Sequence, residues 1–137
     1  GGLRGKHPDA VEGLKRRAMS RQMLSKMEVD AVAAYVSAMP KVTNAPTLSV
    51  DTAAGQAKFM ICSTCHGPKG EGNQQLNAPP IAGLDDWYVA RQLKKFQGGV
   101  RGSVKDDAVG AQMMGMAMAV PPNEIDSVAA YIHSLVP

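Results

Sequence analysis

The sequence predicts an all-α fold, and three features indicate it. Apolar residues recur at helical spacing in two segments. These stripes are Val29, Val32, Ala33, Val36 and Met39 in the first segment, and Ile125, Val128, Ala129, Ile132 and Leu135 in the last. No segment shows the strict alternation of apolar and polar residues that is typical of a half-buried β-strand. Glycine, proline and asparagine are concentrated between the helical patterns, which indicates connecting loops.

In the C-terminal region the sequence predicts a first helix, a long loop after it, and a last helix at the end of the chain. Asp51 is expected to cap a helix over about residues 51–65, because a carboxylate accepts hydrogen bonds from the free backbone N–H groups at a helix N-terminus. Residues 67–83 are rich in glycine, proline and asparagine, which predicts an extended loop. The last helix is expected to begin near Pro122, since proline suits the first helical position and acidic residues follow it.

Another helix is predicted between these two, over residues 86–97. Asp85 stands at the position of an N-cap, and Gly98 follows as a glycine that ends a helix. Residues 98–122 contain several glycines and prolines and are predicted to be irregular, with a short helix around residues 106–112. The C-terminal region is thus expected to consist of helices joined by loops.

Charge and hydropathy weigh against two classes of partner. The net charge of +3 is uneven: residues 1–45 carry eight basic residues against four acidic ones, whereas residues 46–137 carry seven against eight. Aromatic residues are not interleaved with the basic ones, so nucleic-acid binding is not indicated. No stretch approaches the roughly 18 apolar residues of a membrane-spanning helix, so no membrane span is expected.

The sequence Cys62-Ser63-Thr64-Cys65-His66 is the most specific chemical feature of the chain. C-x-x-C-H is the attachment signature of a c-type haem. Two thiols on one helical turn can each form a thioether with a haem vinyl group, and the adjacent imidazole can bind the iron. A redox dithiol or a zinc site fits less well, because no βαβ pattern is visible and the chain has no other cysteine. One covalent haem c, held by Cys62, Cys65 and His66, is therefore expected.

The two ends of the chain resemble each other. Residues 1–36 match residues 98–132, first at an offset of 97 and then, after one extra residue, at an offset of 96. Similarity at a fixed period indicates duplication of a structural unit. We therefore predict two domains. Residues 46–137 form a complete domain with the haem motif, and residues 1–45 form the distal half of a preceding domain plus a linker, without a haem motif of its own.

Six motifs occur along residues 50–137: Gly55-x-x-x-Phe59, Gly67-Pro68-x-Gly70-x-Gly72, Pro79-x-x-Ala82-Gly83, Gln92-Leu93-Lys94-x-Phe96, Met113-x-Gly115-Met116 and Val128-Ala129-Ala130-Tyr131. Together they resemble a complete class I cytochrome c domain, and the whole chain resembles the two-domain, di-haem bacterial cytochromes c. The resemblance implies helices and loops wrapped around one covalent haem, preceded by an N-terminal helical half-domain. It also implies that the first and last helices of the domain approach closely at a glycine.

The resemblance assigns further residues to the haem pocket. The carbonyl group of Pro79 would accept a hydrogen bond from the proximal imidazole of His66, which fixes the ring and raises its donor strength. Trp87 would pack on the haem or donate to a propionate, with ordinary core packing as the alternative. His133 lies on the last helix and is expected to be solvated rather than bound to iron.

The distal ligand of the iron is expected to come from a cluster of methionines. Such clusters often fill cores, but a thioether opposite histidine is the usual ligand pair of an electron carrier. The Met-x-Gly motif of the family selects Met113, with Met116 and Met114 as alternatives. The first copy of the repeat departs from this pattern, since Arg16 stands at the position that matches Met113.

The function implied by this resemblance is one-electron transfer rather than enzymatic catalysis. The protein would be an exported, periplasmic carrier, its signal peptide absent from this chain, or the haem subunit of a larger complex. Its partners would be redox proteins: an oxidase, a reductase or a dehydrogenase. The alternative is a five-coordinate haem protein that binds small gases or acts as a peroxidase, which would require an open sixth position on the iron.

The apolar stripe of residues 1–40 predicts a further contact. The complete domain contains one helix with the Gly-x-x-x-Phe motif, and the last helix is expected to pack against it. The stripe of the first copy is then left without its natural cover, and exposed apolar patches of this kind usually mark an interface. Residues 1–40 are therefore expected to be covered by another chain or by a second copy of this one.

Overall fold

The computed structural model describes residues 6–22, 25–40 and 42–135, and over these residues the protein is helical. The six α-helices are α1 Val11–Ser20, α2 Lys26–Ala38, α3 Ala53–His66, α4 Asp86–Gln97, α5 Ala108–Ala117 and α6 Ile125–Ser134. Short 3-10 helices cover Gln74–Leu76 and Pro122–Glu124. Within the described ranges, β-pairing is limited to an isolated bridge between Asn73 and Ala78. The all-α prediction is confirmed, and none of the helices described is long and apolar enough to cross a membrane.

The chain divides into two compact units, Gly1–Val42 and Thr43–Pro137. This division lies close to the boundary that the sequence predicts between residues 45 and 46. The first unit contains α1 and α2, and the second contains α3 to α6.

The two helices of the first unit correspond to the helical segments at the end of the second unit. Shifted by 97 residues, the bounds of α1 coincide with those of α5, although the sequence did not predict α1. Shifted by 96 residues, α2 coincides with the 3-10 helix Pro122–Glu124 together with α6. Ser25 and Glu28 form a capping box at the start of α2. The stripe on α2 is exposed, with Val32 at 49% and Val36 at 58% of full exposure.

The core of the second unit is built around α6, which packs against α3 and α4. Val128 and Ala129 are completely buried. Gly55 of α3 lies so close to α6 that a Cβ atom there would be 2.0 Å from the carbonyl oxygen of Ser127. The expected close approach of the two helices is confirmed. The other buried apolar residues of this core are Phe59, Val89, Ala90, Leu93, Phe96, Ala117, Val120, Ile125 and Ile132.

Helix α4 has the predicted bounds, but its N-terminus is organised differently. The Asp85 side chain makes no capping hydrogen bond; it accepts one from the Asn44 amide, at 2.9 Å. The buried carboxylate of Asp86 instead accepts from the backbone N–H groups of Thr47 and Leu48, each at 2.7 Å. It also accepts from the Thr47 hydroxyl and the Trp87 N–H, again at 2.7 Å. This carboxylate therefore fixes the segment that enters the second unit.

Helix α5 lies further along the chain than predicted and is longer. The expectation of a short helix around residues 106–112, followed by irregular structure, is wrong, since the helix runs from Ala108 to Ala117. Its two glycines, Gly110 and Gly115, are poor helix formers. The Asp107 carboxylate caps it by accepting from the Gly110 N–H group at 2.9 Å. The methionines of the cluster up to Met116 are therefore on a helix and not in a loop.

Candidate functional site

The haem-attachment motif occupies the last turn of α3. Cys62 and Cys65 are both partly buried, and His66 is buried. Cys62 packs against the apolar core, and this burial raises the pKa of its thiol. Positions 62, 65 and 66 fall within one turn because the segment is helical, so the two thiols and the imidazole lie at the same end of α3.

The imidazole of His66 is held by the loop that follows α3. Its Nδ1 atom lies 2.8 Å from the carbonyl oxygen of Pro79, the pair of atoms that the family resemblance singles out. The carbonyl oxygen can only accept, so Nδ1 carries the proton and donates. This tautomer leaves Nε2 as the ring nitrogen available to a metal ion.

Glycine residues bring the Pro79 carbonyl to this position. Gly72 has φ +87°, and a Cβ atom on it would lie 2.6 Å from the backbone nitrogen of Pro80. Its N–H group donates to the carbonyl of His66 at 2.7 Å. A side chain at Gly72 would therefore both strain the backbone and push the loop away from α3.

The methionine cluster differs in burial from one member to the next. Met113 and Met114 are partly buried and pack against the core, and Met116 is also partly buried. Met118 is 65% exposed. Met113 and Met116 are three positions apart on α5 and so share one face of that helix.

The exposure of two side chains bears on the predictions made for them. Trp87 is 46% exposed, so the alternative of ordinary core packing is wrong. Its ring lies in an edge contact with Tyr88 at 5.9 Å and beneath the guanidinium of Arg91 at 5.8 Å. His133 was expected to be solvated, but it is buried, and its Nδ1 atom lies 3.1 Å from the carbonyl oxygen of Leu84. Nothing in the local sequence signals this, because the covering loop is remote along the chain.

The donor set fits a covalent haem better than a protein-bound metal ion. In the part of the chain that the structure describes, no group of three or more His, Cys, Asp or Glu side chains could hold a metal, so a zinc site lacks ligands. Two thiols at helical spacing and one imidazole with Nε2 available are the groups that a c-type haem requires. Ile81 and Leu84 of the loop that follows α3 pack against the same apolar core as Cys62.

Comparison with known proteins gives one match to a protein-family model, described as cytochrome c, over residues 52–136. The chain is 29% identical to a cytochrome c4 of Azotobacter vinelandii, across 96% of this chain and 67% of that protein. It is 34% identical to a thiosulfate dehydrogenase electron acceptor of Thiomonas intermedia, across 62% of this chain and 36% of that protein.

A solved structure shows the same architecture. It is the reduced recombinant cytochrome c4 from Pseudomonas stutzeri, with a TM-score of 0.70 and 26% sequence identity. The likeness covers 98% of this chain and 78% of that chain. The match therefore extends over both units and not only over the residues that carry the C-x-x-C-H motif.

Proposed function

Because the chain belongs to the cytochrome c family, it serves one-electron transfer through a covalently bound haem c, and we propose that the ligands of its iron are His66 and Met113. The predicted class I cytochrome c fold is confirmed by the likeness to cytochrome c4. Cys62 and Cys65 would hold the haem through thioether bonds. When bound, the haem supplies an iron that gains and loses one electron.

The remaining tasks belong to the side chains around the haem. Pro79 orients the His66 ring and fixes its tautomer through the 2.8 Å contact with Nδ1. A thioether sulfur from Met113 would favour Fe(II) over Fe(III) and so would raise the reduction potential, and Met116 and Met114 are the alternative sulfur donors on α5. Trp87 remains a predicted haem contact. If His66 and Met113 both held the iron, they would leave no position on it for a substrate, so we propose an electron carrier and not an enzyme.

One observation carries this proposal: the C-x-x-C-H motif ends α3 with its imidazole already oriented by the Pro79 carbonyl. The test is haem staining after denaturing electrophoresis and acid–acetone extraction. The colour should survive in the unmodified protein and in a Ser63→Ala variant, which alters only a residue between the cysteines. It should be lost when Cys62 and Cys65 are both replaced by alanine. Loss of the colour from the unmodified protein would contradict covalent attachment.

Redox and ligand-binding measurements separate the carrier from the five-coordinate alternative. A potentiometric titration should follow a one-electron curve, and the oxidised protein should show a sulfur-to-iron absorption band. Rapid binding of CO to the reduced protein, without that band, would favour an open sixth position and thus the gas-binding or peroxidase alternative.

The setting of the proposed carrier is the bacterial periplasm, and its partners are redox proteins such as a dehydrogenase, a reductase or an oxidase. The relative described as an electron acceptor of thiosulfate dehydrogenase supports a role beside an enzyme. The absence of a spanning helix among the described residues is compatible with a periplasmic protein. Co-purification with a redox enzyme from periplasmic extract would test this setting.

For the first unit, we propose the distal half of a preceding cytochrome c domain. The coincidence of α1 with α5, and of α2 with the end of the second unit, supports it. Val32 and Val36 of α2 are exposed, whereas their counterparts Val128 and Ile132 are buried. The covering element would therefore be a helix of the α3 kind, contributed by the haem-bearing front half of such a domain. A partner subunit and a second copy of this chain are the competing occupants.

A further inference from the structure

Gln97, the last residue of α4, binds the end of the helix that carries the methionines. Its half-buried side-chain amide donates to the carbonyl oxygen of Ala117 at 2.8 Å and to that of Val120 at 2.7 Å. Ala117 and Val120 are themselves buried. The Ala117 carbonyl oxygen also accepts from the Val120 N–H group at 3.2 Å, so the Gln97 amide closes the turn that follows α5 by binding the carbonyl groups at both of its ends.

Helix α5 needs such support because its own sequence stabilises it poorly. It has only ten residues, two of which are glycines, and each glycine costs about 1 kcal/mol relative to alanine. Two further anchors lie near its start: the Asp107 cap, and Gly102, where a Cβ atom would be 2.2 Å from the carbonyl oxygen of Gly110. Met113 lies between these anchors and the Gln97 contact.

We propose that Gln97 is a positioning residue for the distal ligand, fixing the C-terminal end of α5 so that a methionine sulfur stays on the haem iron. The inference rests on the proposed methionine ligation. Gln97 acts through the Ala117 and Val120 carbonyl groups, and its effect on the iron passes through the backbone of α5. Nothing in the family motifs assigns this role, because the Gln92-Leu93-Lys94-x-Phe96 pattern stops one residue before it.

The test uses the full chain with haem attached and a Gln97→Glu variant. A carboxylate has the same shape but cannot donate, so it would face two carbonyl oxygens without hydrogen bonds. Loss of this half-buried donor should lower by about one unit the midpoint pH at which the sulfur-to-iron band disappears on raising the pH, and should speed CO binding to the reduced protein roughly tenfold. Gln112→Glu makes the same change at an exposed position of α5 and should leave both readouts near those of the unmodified protein.

A second variant, Gln97→Lys, keeps N–H donors at this place and should retain the band. An unchanged band and CO rate in Gln97→Glu would overturn the inference while leaving methionine ligation intact. Equal loss of the band in Gln97→Lys and Gln97→Glu would also overturn it, since donors would then not be the relevant property. Absence of the band from the unmodified protein would overturn the proposed ligation, and this inference with it.

Discussion

Gly55 of α3 and Ser127 of α6 touch backbone to backbone. A Cβ atom on Gly55 would lie 2.0 Å from the Ser127 carbonyl oxygen and 2.4 Å from its carbonyl carbon. One turn further along α3, the ring of Phe59 packs against that of Tyr131, with 5.3 Å between centroids. The crossing of these two helices therefore sets where α3 ends, and with it the position of the haem motif relative to α6.

Replacing Gly55 by alanine should destabilise the protein, although alanine is the better helix former. The methyl group has no room, and overpacking costs about 1–3 kcal/mol. Because the clash is with backbone at 2.0 Å, the cost should lie at the upper end of this range, above the gain of about 1 kcal/mol in helix propensity. The control is Gly115→Ala on α5, where no atom lies within 4 Å of the added Cβ. Denaturant unfolding followed by circular dichroism should show a loss in the first variant and a small gain in the second. If both variants were more stable than the unmodified protein, α3 and α6 would be able to move apart without cost, and the prediction would be wrong.

The buried Asp86 carboxylate predicts a strong effect of removing its charge. Asp86→Asn replaces one acceptor oxygen by a donor that faces backbone N–H groups, and loss of charge-assisted hydrogen bonds in a buried site should cost about 3 kcal/mol. Asp85→Asn, next to it, affects one hydrogen bond with Asn44 and should cost less than about 1 kcal/mol. Equal unfolding free energies for the two variants would show that Asp86 does not anchor residues 47 and 48.

The same carboxylate predicts a dependence of stability on pH. Burial would raise the pKa of Asp86, but hydrogen bonds from Thr47, Leu48 and Trp87 outweigh burial and lower the pKa to about 2. In the unfolded chain the pKa of an aspartate is about 3.9, so between these values the unfolded state binds more protons. The free energy of unfolding should thus fall as the pH drops from about 4 to about 2, and this fall should be shallower in Asp86→Asn. If the free energy of unfolding changed with pH in the same way in both proteins, the lowered pKa would not belong to Asp86.

The sequence predicts the fold best where local chemistry and packing agree. The end of α4 followed from Gly98, although Asp85 binds Asn44 instead of capping the start of the helix. The α3–α6 crossing followed from the glycine of a family motif. Helix α5 was placed wrongly because glycines weaken its local signal, while its anchors at Gln97 and Gly102 come from outside the helix. The burial of His133 escaped prediction for the same reason, since its partner Leu84 lies 49 residues away.

The distal ligand can be identified by removing the methionines one at a time. Met113→Ala should abolish the sulfur-to-iron band and lower the reduction potential, because water or a weaker donor would replace the thioether. Met118→Ala is the matched control, since Met118 is exposed, and should leave the band in place. If Met116→Ala has the large effect instead, the ligand is one turn further along α5.

The exposed stripe on α2 predicts that the first unit binds another polypeptide. Full burial of an apolar side chain is worth about 1.5–3 kcal/mol, so covering Val29, Val32 and Val36 together would supply several kcal/mol for association. Light scattering at low micromolar concentration should therefore give a mass above that of one chain with one haem, or reveal a bound partner. Val32→Lys combined with Val36→Lys should abolish this association. Met27→Lys, which places the same charge off the stripe at an exposed position, should preserve it. A monomeric unmodified chain with no partner would show that the stripe is not an interface.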